Sequence, residues 1–351
     1  MKDLSDIEII RNIDKSDMLS ILLNFSQQCK NAVETAQKFE LPENFRHAKN
    51  IVISGMGGSA IGGDLVRSIF IDELKLPVII NRNYFIPEFV NEDTLFIASS
   101  YSGNTEETIS SLENAINKRA NIITISSGGK IQELSEKYNL SHFLIPEKNL
   151  QPRCAFGYLF LPLVVFLSKL GFISDQSENL DDAIKIISQT ANTLSPDKDN
   201  FAKQLAYLLY NRIPIIYASQ NYLDVVAMRW KGQFNENSKT MAFYNVIPEM
   251  NHNEIVGWGI PLDITRRCIV IILSYNADFE KIRKRMEITK SLISGLGTQV
   301  IDISAIGNSN LARVLYLIYL GDLTSFYLAI LNETDPSPVE RISLLKRKLE
   351  E

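Results

Sequence analysis

Residues 51–64 read IVISGMGGSAIGGD: an apolar, β-rich run, a glycine-rich turn, and the opening of a helix. Glycines at such a junction let the backbone turn tightly and approach a ligand, and the free amides of the first helical turn favour an anion. No Gly-Lys-Ser/Thr follows, so the stretch is not a P-loop and a nucleoside triphosphate is not indicated. Gly55, Gly57 and Ala60 can be laid over the G-x-G-x-x-G/A spacing of a dinucleotide fold, with Asp72 roughly where a ribose-binding acid would stand. That match is imperfect and alone.

Outward from this stretch the same alternation continues. After a helical lead-in at about 16–38 come IVIS (51–54), PVII (77–80), TLFIASS (94–100), NIITISS (121–127) and HFLIPE (142–147), separated by helical stretches. Continuous Val/Ile-rich runs between helices predict a parallel sheet covered on both faces, a doubly wound α/β domain. A second series follows: PIIYAS (214–219), AFYNVI (242–247), CIVIILSY (268–275) and TQVIDIS (298–304). IVISGMGGSA aligns with PIIYASQNYL, TLFIASSYSGNTEET with CIVIILSYNADFEKI, and ANIITISS with TQVIDIS, a weak internal duplication. Two such domains in tandem are expected, over 1–152 and 153–351, joined through the helical segment from Arg153 to about Asn200. The second copy lacks most of the strand-end glycines and hydroxyls, so one phosphate-type site per chain is expected, in the first.

Composition narrows the class. The 351 residues exceed the roughly 100–200 typical of one domain, and 45% hydrophobic with 22% charged residues is the balance of an ordinary globular protein. The net charge is -5 and the basic residues are scattered, so a nucleic-acid partner is not expected. Cys29, Cys154 and Cys268 are far apart and odd in number, which suggests neither a disulfide framework nor a metal cluster. The N-terminal MKDLSDIEIIRNIDKSDM is acidic and lacks a signal-peptide core, so a cytoplasmic location is expected. Ala155–Leu167 is too short to span a bilayer and contains Pro162, and Leu311–Leu331 carries Arg313 and Asp322; both read as buried helices rather than membrane spans.

A second loop, SSYSGNTEET at 99–108, also ends a strand and starts a helix, with Asn104 the expected N-cap and Glu107 at the capping-box position. Ser100, Ser102 and Thr105 crowd one helix N-terminus, where each can donate to a phosphate oxygen while the helix dipole supports the charge. One or two of these hydroxyls could instead serve only as caps. Two such loops after neighbouring strands favour a phosphate monoester, and the hydroxyl-rich loop would spoil a nicotinamide pocket.

GMGGSAIGGD followed by SYSGNTEET resembles the sugar isomerase (SIS) domain. With PRCAFG, KGQFNENSK, PEMNHNE and the C-terminal DPSPVERISLLK, the chain from about residue 50 onward is similar to the bifunctional phosphoglucose/phosphomannose isomerases. The resemblance implies an aldose–ketose isomerase that interconverts glucose 6-phosphate, and mannose 6-phosphate, with fructose 6-phosphate through a cis-enediol. It implies a homodimer and no cofactor. A non-catalytic SIS-type sugar-phosphate sensor and an isomerase restricted to one aldose phosphate are the alternatives; an amidotransferase-linked aminosugar isomerase usually needs a glutaminase domain with an N-terminal cysteine, which this chain does not offer.

Four residues stand out for the chemistry. Glu236 follows a helix striped with Leu223, Val226, Ala227, Trp230 and Phe234, near a C-terminal pole that disfavours a carboxylate's charge and suits a base working near neutrality. Its residues alone favour a solvated glutamate on a fraying helix end; the resemblance implies the base that moves a proton between carbons one and two. His252, in the polar cluster PEMNHNE, reads by itself as a surface histidine; the resemblance implies a ring-opening group reaching the neighbouring subunit's site. Ser337, Pro338 and Glu340 mark a helix start. At about 100° per residue Lys346 falls within the apolar arc of Val339, Ile342, Leu345 and Leu349, where it must snorkel, pair or serve a site. The resemblance implies ring opening or closing, with the C-terminal helix packing over the first-half site. Arg153 at the junction of the halves could form a salt bridge or stabilise an enediolate oxygen, the role implied by the resemblance. The same resemblance implies that Ser59, Ser100, Ser102 and Thr105 hold the phosphate, with the backbone of Gly57 and Gly58. Asp64, Glu106, Glu107 and Glu249 receive no role.

Overall fold

The computed structural model describes residues 3–350. Contacts divide the chain into two compact units: one from Asn24 to Lys185, the other made of the chain up to Leu23 together with that from Ile186 onward. The opening helices α1 (Ile7–Ile13) and α2 (Met18–Leu23) therefore count with the second half of the sequence.

The Asn24–Lys185 unit begins with α3 (Phe25–Lys38), then runs β1 (Asn50–Ser54), α4 (Gly58–Ile69), β2 (Val78–Asn81), β3 (Thr94–Ser99), α5 (Glu106–Asn117), β4 (Asn121–Ser126), α6 (Gly129–Lys137), β5 (Ser141–Leu144) and α7 (Phe156–Lys169). Its five strands are all parallel in the order β2-β1-β3-β4-β5. Every residue of β3 is buried, which explains why TLFIAS reads as a continuous apolar run rather than an alternating one. One side of the sheet packs Val52, Phe96, Ala98 and Ile122 against Leu112 and Ala115 of α5 and Ile131 and Leu134 of α6. The segment after residue 152, assigned by the sequence to a second domain, contributes α7, which packs on α3 and α4 of this unit. Twelve of its residues, Phe156 to Leu167, are buried in a row, so it is a core helix on all sides. Helix α8 (Ser177–Thr193) follows and crosses the division between the units.

The other unit continues with α9 (Phe201–Leu209), β6 (Ile213–Ser219), α10 (Asp224–Glu236), β7 (Phe243–Ile247), the short helices α11 (Glu254–Gly257) and α12 (Leu262–Thr265), β8 (Cys268–Ser274), α13 (Glu280–Gly295), β9 (Gln299–Ser304), α14 (Asn310–Leu331) and α15 (Glu340–Glu350). Its four strands are parallel in the order β7-β6-β8-β9, the order of the first sheet without its last strand. α14 is long and apolar enough to cross a bilayer by length and composition, but it is packed among α1, α2, α9 and α10. Its one buried charge, Asp322, bonds Arg229 of α10 at 2.7 Å and Gln233 at 2.8 Å, the pairing that a buried carboxylate requires.

Candidate active site

In the first sheet the chain leaves β1 for β2 on one side and returns to β3 on the other, so the loops leaving β1 and β3 face the crevice at the point where strand order reverses. Gly57 has a φ of 51°, in the left-handed region that favours glycine, and serves as N-cap of α4. Ser59, buried at 5% exposure, accepts the Tyr101 amide N–H on its Oγ at 3.2 Å, which ties the two loops together. In the second loop the Ser100 and Thr105 hydroxyls bond each other at 2.8 Å, and Ser102 Oγ accepts the Asn104 N–H at 3.2 Å. The expected Asn104 cap is corrected. Thr105 is the N-cap of α5 and makes no side-chain cap bond, while Asn104 Oδ1 accepts the Lys130 N–H at 3.0 Å, joining α6 instead. The Ser100 and Thr105 hydroxyls are thus bonded to each other rather than used as caps, and with Ser59 and Ser102 they form a cradle of hydroxyls beside two helix N-termini, able to turn toward phosphate oxygens.

Arg153 belongs to the same unit and lies against this cradle. A Cβ on Gly58 would sit 3.2 Å from the Pro152 carbonyl oxygen and 3.5 Å from Arg153 Cα, so the absence of a side chain lets the two segments touch. Arg153 is 5% exposed. Its segment is fixed by Gln28, whose Nε2 donates to the Cys154 carbonyl at 2.9 Å and whose Oε1 accepts the Gly157 N–H at 2.8 Å. Tyr101 is a member of the site that the sequence reading missed. Its hydroxyl donates to the Glu147 carbonyl at 3.0 Å and accepts the Leu150 N–H at 2.9 Å, tying the approach to Arg153 to the hydroxyl loop. Burial pushes its phenol pKa up, so it stays a neutral donor. The only sequence signal was an aromatic residue set between serines.

The remaining candidates are carried by the other unit. Glu236 is the last residue of α10, half-buried, and it lines a cavity of about 830 Å³ with Asn235, Thr240, Thr334, Val339 and Ile342. His252 is exposed, on a 3-10 turn, and the polar residues around it are anchored. Asn251 Nδ2 donates to Thr289 Oγ1 at 2.8 Å, Asn253 Nδ2 to Glu249 Oε1 at 2.8 Å, and Glu254 accepts from Asn245 Nδ2 at 2.5 Å and from the Tyr217 hydroxyl. Burial first, and Glu254 second, push the Tyr217 phenol pKa up. Lys346 departs from expectation. α15 starts at Glu340, only its first residues line the Glu236 cavity, and the expected buried arc is open: Ile342 is 42%, Leu345 60% and Leu349 68% exposed. Lys346 itself is exposed, so within this chain it is neither snorkelling from a packed face nor part of that cavity. Among the described residues no group of three or more His, Cys, Asp or Glu side chains is placed to hold a metal ion.

Two parallel sheets of matching strand order, one with a hydroxyl cradle at its switch point, define an α/β protein of the SIS type. The C-terminal domain of glucosamine-fructose-6-phosphate aminotransferase from Francisella tularensis has this fold, with a TM-score of 0.73 at 16% identity over 91% of this chain and 97% of that one. The model of the bacterial phospho-glucose isomerase C-terminal SIS domain matches residues 198–349. The chain is 44% identical over 337 residues to the bifunctional phosphoglucose/phosphomannose isomerase of Caldicellulosiruptor bescii, covering 95% of this chain and 99% of that relative. It is 40% identical over 304 residues to that of Thermoplasma acidophilum, covering 86% and 89%. The chain belongs to the bifunctional phosphoglucose/phosphomannose isomerase family.

Proposed function

We propose that this chain interconverts glucose 6-phosphate and mannose 6-phosphate with fructose 6-phosphate by proton transfer through a cis-enediol. Family membership supports the reaction; the hydroxyl cradle at the ends of β1 and β3 is the structural observation that carries the reading. The substrate's phosphate binds Ser59, Ser100, Ser102 and Thr105 and the backbone of Gly57 and Gly58. This anchor orients the reacting carbons at the far end of the sugar. Glu236 takes the proton from carbon two of the aldose and returns it to carbon one. Arg153 supports the oxygen on which charge develops. His252 or Lys346 opens the ring, His252 in the site of a neighbouring subunit, which makes the working form a homodimer in the cytoplasm. The exposure of both side chains supports that reading, since each is accessible to a partner or substrate.

Purified protein supplied separately with the two aldose phosphates, with fructose 6-phosphate followed in time, tests the assignment. Both sugars are expected to turn over, and Glu236→Gln is expected to lower kcat by about 10²- to 10⁴-fold, the range for removing a general base. Turnover of neither sugar overturns the enzyme reading in favour of a sensor, and an unaffected Gln variant overturns the choice of base.

A further inference from the structure

Lys239 is a lysine three residues beyond Glu236, and the backbone there adopts a φ of 54°, a left-handed conformation that L-residues avoid. The conformation turns the side chain back onto the helix it has just left. Its Nζ donates to the Glu236 carbonyl at 2.8 Å and the Asn237 carbonyl at 3.2 Å, at the C-terminal end of α10. The same nitrogen donates to the Asp335 carbonyl at 2.8 Å and the Pro336 carbonyl at 3.0 Å, in the turn that leads into α15. Four carbonyl oxygens from two segments thus converge on one ammonium. Helix-end carbonyls lack intrahelical partners and form the negative pole of the helix dipole, so a cation there satisfies both needs.

We infer that Lys239 is a positioning residue for Glu236, and that its ammonium occupies a carbonyl cage suited to a monovalent cation. The inference rests on Glu236 being the base. A ring of main-chain carbonyls is how proteins replace the hydration shell of potassium, and here the chain supplies the cation from its own side chain. Lysine suits the place because its charge is compact and its three donors rotate; the planar arginine fork cannot sit at the centre of four converging oxygens. The neighbouring residues are cross-linked to α14 and the segment after it. Asn237 Nδ2 donates to Ser325 Oγ at 2.9 Å, and Asn332 Nδ2 donates to the Ser238 carbonyl at 2.9 Å and Thr240 Oγ1 at 3.0 Å. Lys239 alone of these holds the carbonyl of Glu236 itself and fastens it to the 335–336 turn, beside the cavity that Glu236, Lys239 and Asp335 line together. Lys239 as a residue is exposed, so a small cation from solution can reach the cage once the side chain is removed.

The test is steady-state isomerisation by Lys239→Ala in a buffer whose only cation is tetramethylammonium, then with added potassium, ammonium or ethylammonium chloride. The Ala variant is expected to lose kcat about ten- to a hundredfold, the cost of a misplaced catalytic group, with KM changed by less than about threefold. Potassium, ammonium or ethylammonium is expected to return at least about tenfold of kcat, while wild type and Glu236→Gln do not respond. An Ala variant as fast as wild type, or a loss that no cation restores, overturns the inference. If Lys239→Ala fails to fold by circular dichroism, Lys239→Met keeps the methylene stem without charge, and its expected result is the same loss of kcat; a folded Met variant of full activity overturns the inference. A Glu236→Gln enzyme that keeps its rate removes the base assignment, whereas a dead Gln variant beside an unaffected Ala variant removes only the role of Lys239.

Discussion

The two sheets share a register and differ at their switch points. Ile51 faces Leu95 across β1 and β3 just as Pro214 faces Ile269 across β6 and β8, so the strands correspond residue for residue, although α10 starts three residues later than α4 in that alignment. Where the first sheet has Gly57, Gly58 and Ser59, the second has Gln220, Asn221 and Tyr222; where the first has Ser102 and Thr105, the second has Asn276 and Phe279. Tyr222 and its neighbours occupy part of their own crevice, while Gln220, Asn276 and Phe279 are exposed. Gln220 donates to Asp224 at 3.1 Å, the Tyr222 ring lies 5.5 Å from that of Tyr275, and the Tyr275 hydroxyl donates to Asn310 Oδ1 at 2.5 Å. Arg313 lies 5.1 Å over the Tyr275 ring. One backbone plan therefore carries a hydroxyl cradle in one copy and a plug of larger polar and aromatic side chains in the other, and the difference is side-chain volume at aligned positions. Fold alone assigns neither role.

The largest effect is expected from stripping the cradle. Ser100→Ala combined with Ser102→Ala removes two donors to a charged phosphate, at about 1.5–3 kcal/mol each, so kcat/KM should fall about 10²- to 10⁴-fold. The corresponding change in the second sheet, Ser274→Ala with Asn276→Ala, should leave KM for fructose 6-phosphate unchanged and lower only the thermal midpoint. If the second-sheet variant raises KM as much as the first, the contrast between the copies is wrong.

A smaller effect tests the backbone rather than the hydroxyls. Gly57→Ala places a Cβ at a φ of 51°, a cost of about 1–2 kcal/mol, and should shift the thermal midpoint down while weakening phosphate binding. Gln220→Gly, the reverse exchange in the second copy, should cost stability through lost side-chain bonds without creating phosphate affinity, measured by inorganic phosphate protection against thermal unfolding. Phosphate protection gained by the glycine variant would mean that a turn alone suffices and that the plug is incidental.

The central strands, β1, β3, β4, β6 and β8, were legible because buried parallel strands are written as unbroken Val/Ile runs, and the same property made the duplication alignable by eye. The glycine and hydroxyl loops were legible because such residues cluster visibly between an apolar strand and the helix that follows. Periodicity could not supply partners. The arc of Ile342, Leu345 and Leu349 predicts an amphipathic helix correctly, but nothing in a 3.6-residue repeat says what covers it, and among the described residues all three stay exposed. Asn104 was assigned to the nearest helix by local cap rules, and lost it to an amide 26 residues away. The α7 segment lies beyond the boundary expected at 152 because aligning the two strand series says nothing of which unit the helix between them packs on, and α7 packs on α3 and α4. Lys239 was passed over because a lysine in a polar stretch looks solvated until its left-handed backbone is known.

The smallest effect concerns Asp278, which stands in the second copy where the first has Asn104. It is buried at 8% exposure and its Oδ2 has no hydrogen-bond partner among the described residues. Burial pushes its carboxyl pKa above the ordinary 3.8, and the neighbouring Ser219 hydroxyl and Arg283 charge only partly oppose the rise. A carboxyl whose folded-state pKa is raised binds its proton more tightly when folded. Its contribution is therefore least unfavourable below the unfolded value, and stability is lost as pH rises through the folded one. Asp278→Asn mimics the protonated form at every pH. The variant should match wild type in thermal midpoint at the acid end, where both side chains are neutral, and exceed it by a gap that opens as pH rises past 3.8 and then stays constant. Differencing the two proteins cancels the other carboxylates. A gap that is constant from acid to neutral pH, or one that favours wild type at neutrality, would mean that the ionised Asp278 is compensated in the fold, and the plug in the second sheet would then be an ionic one.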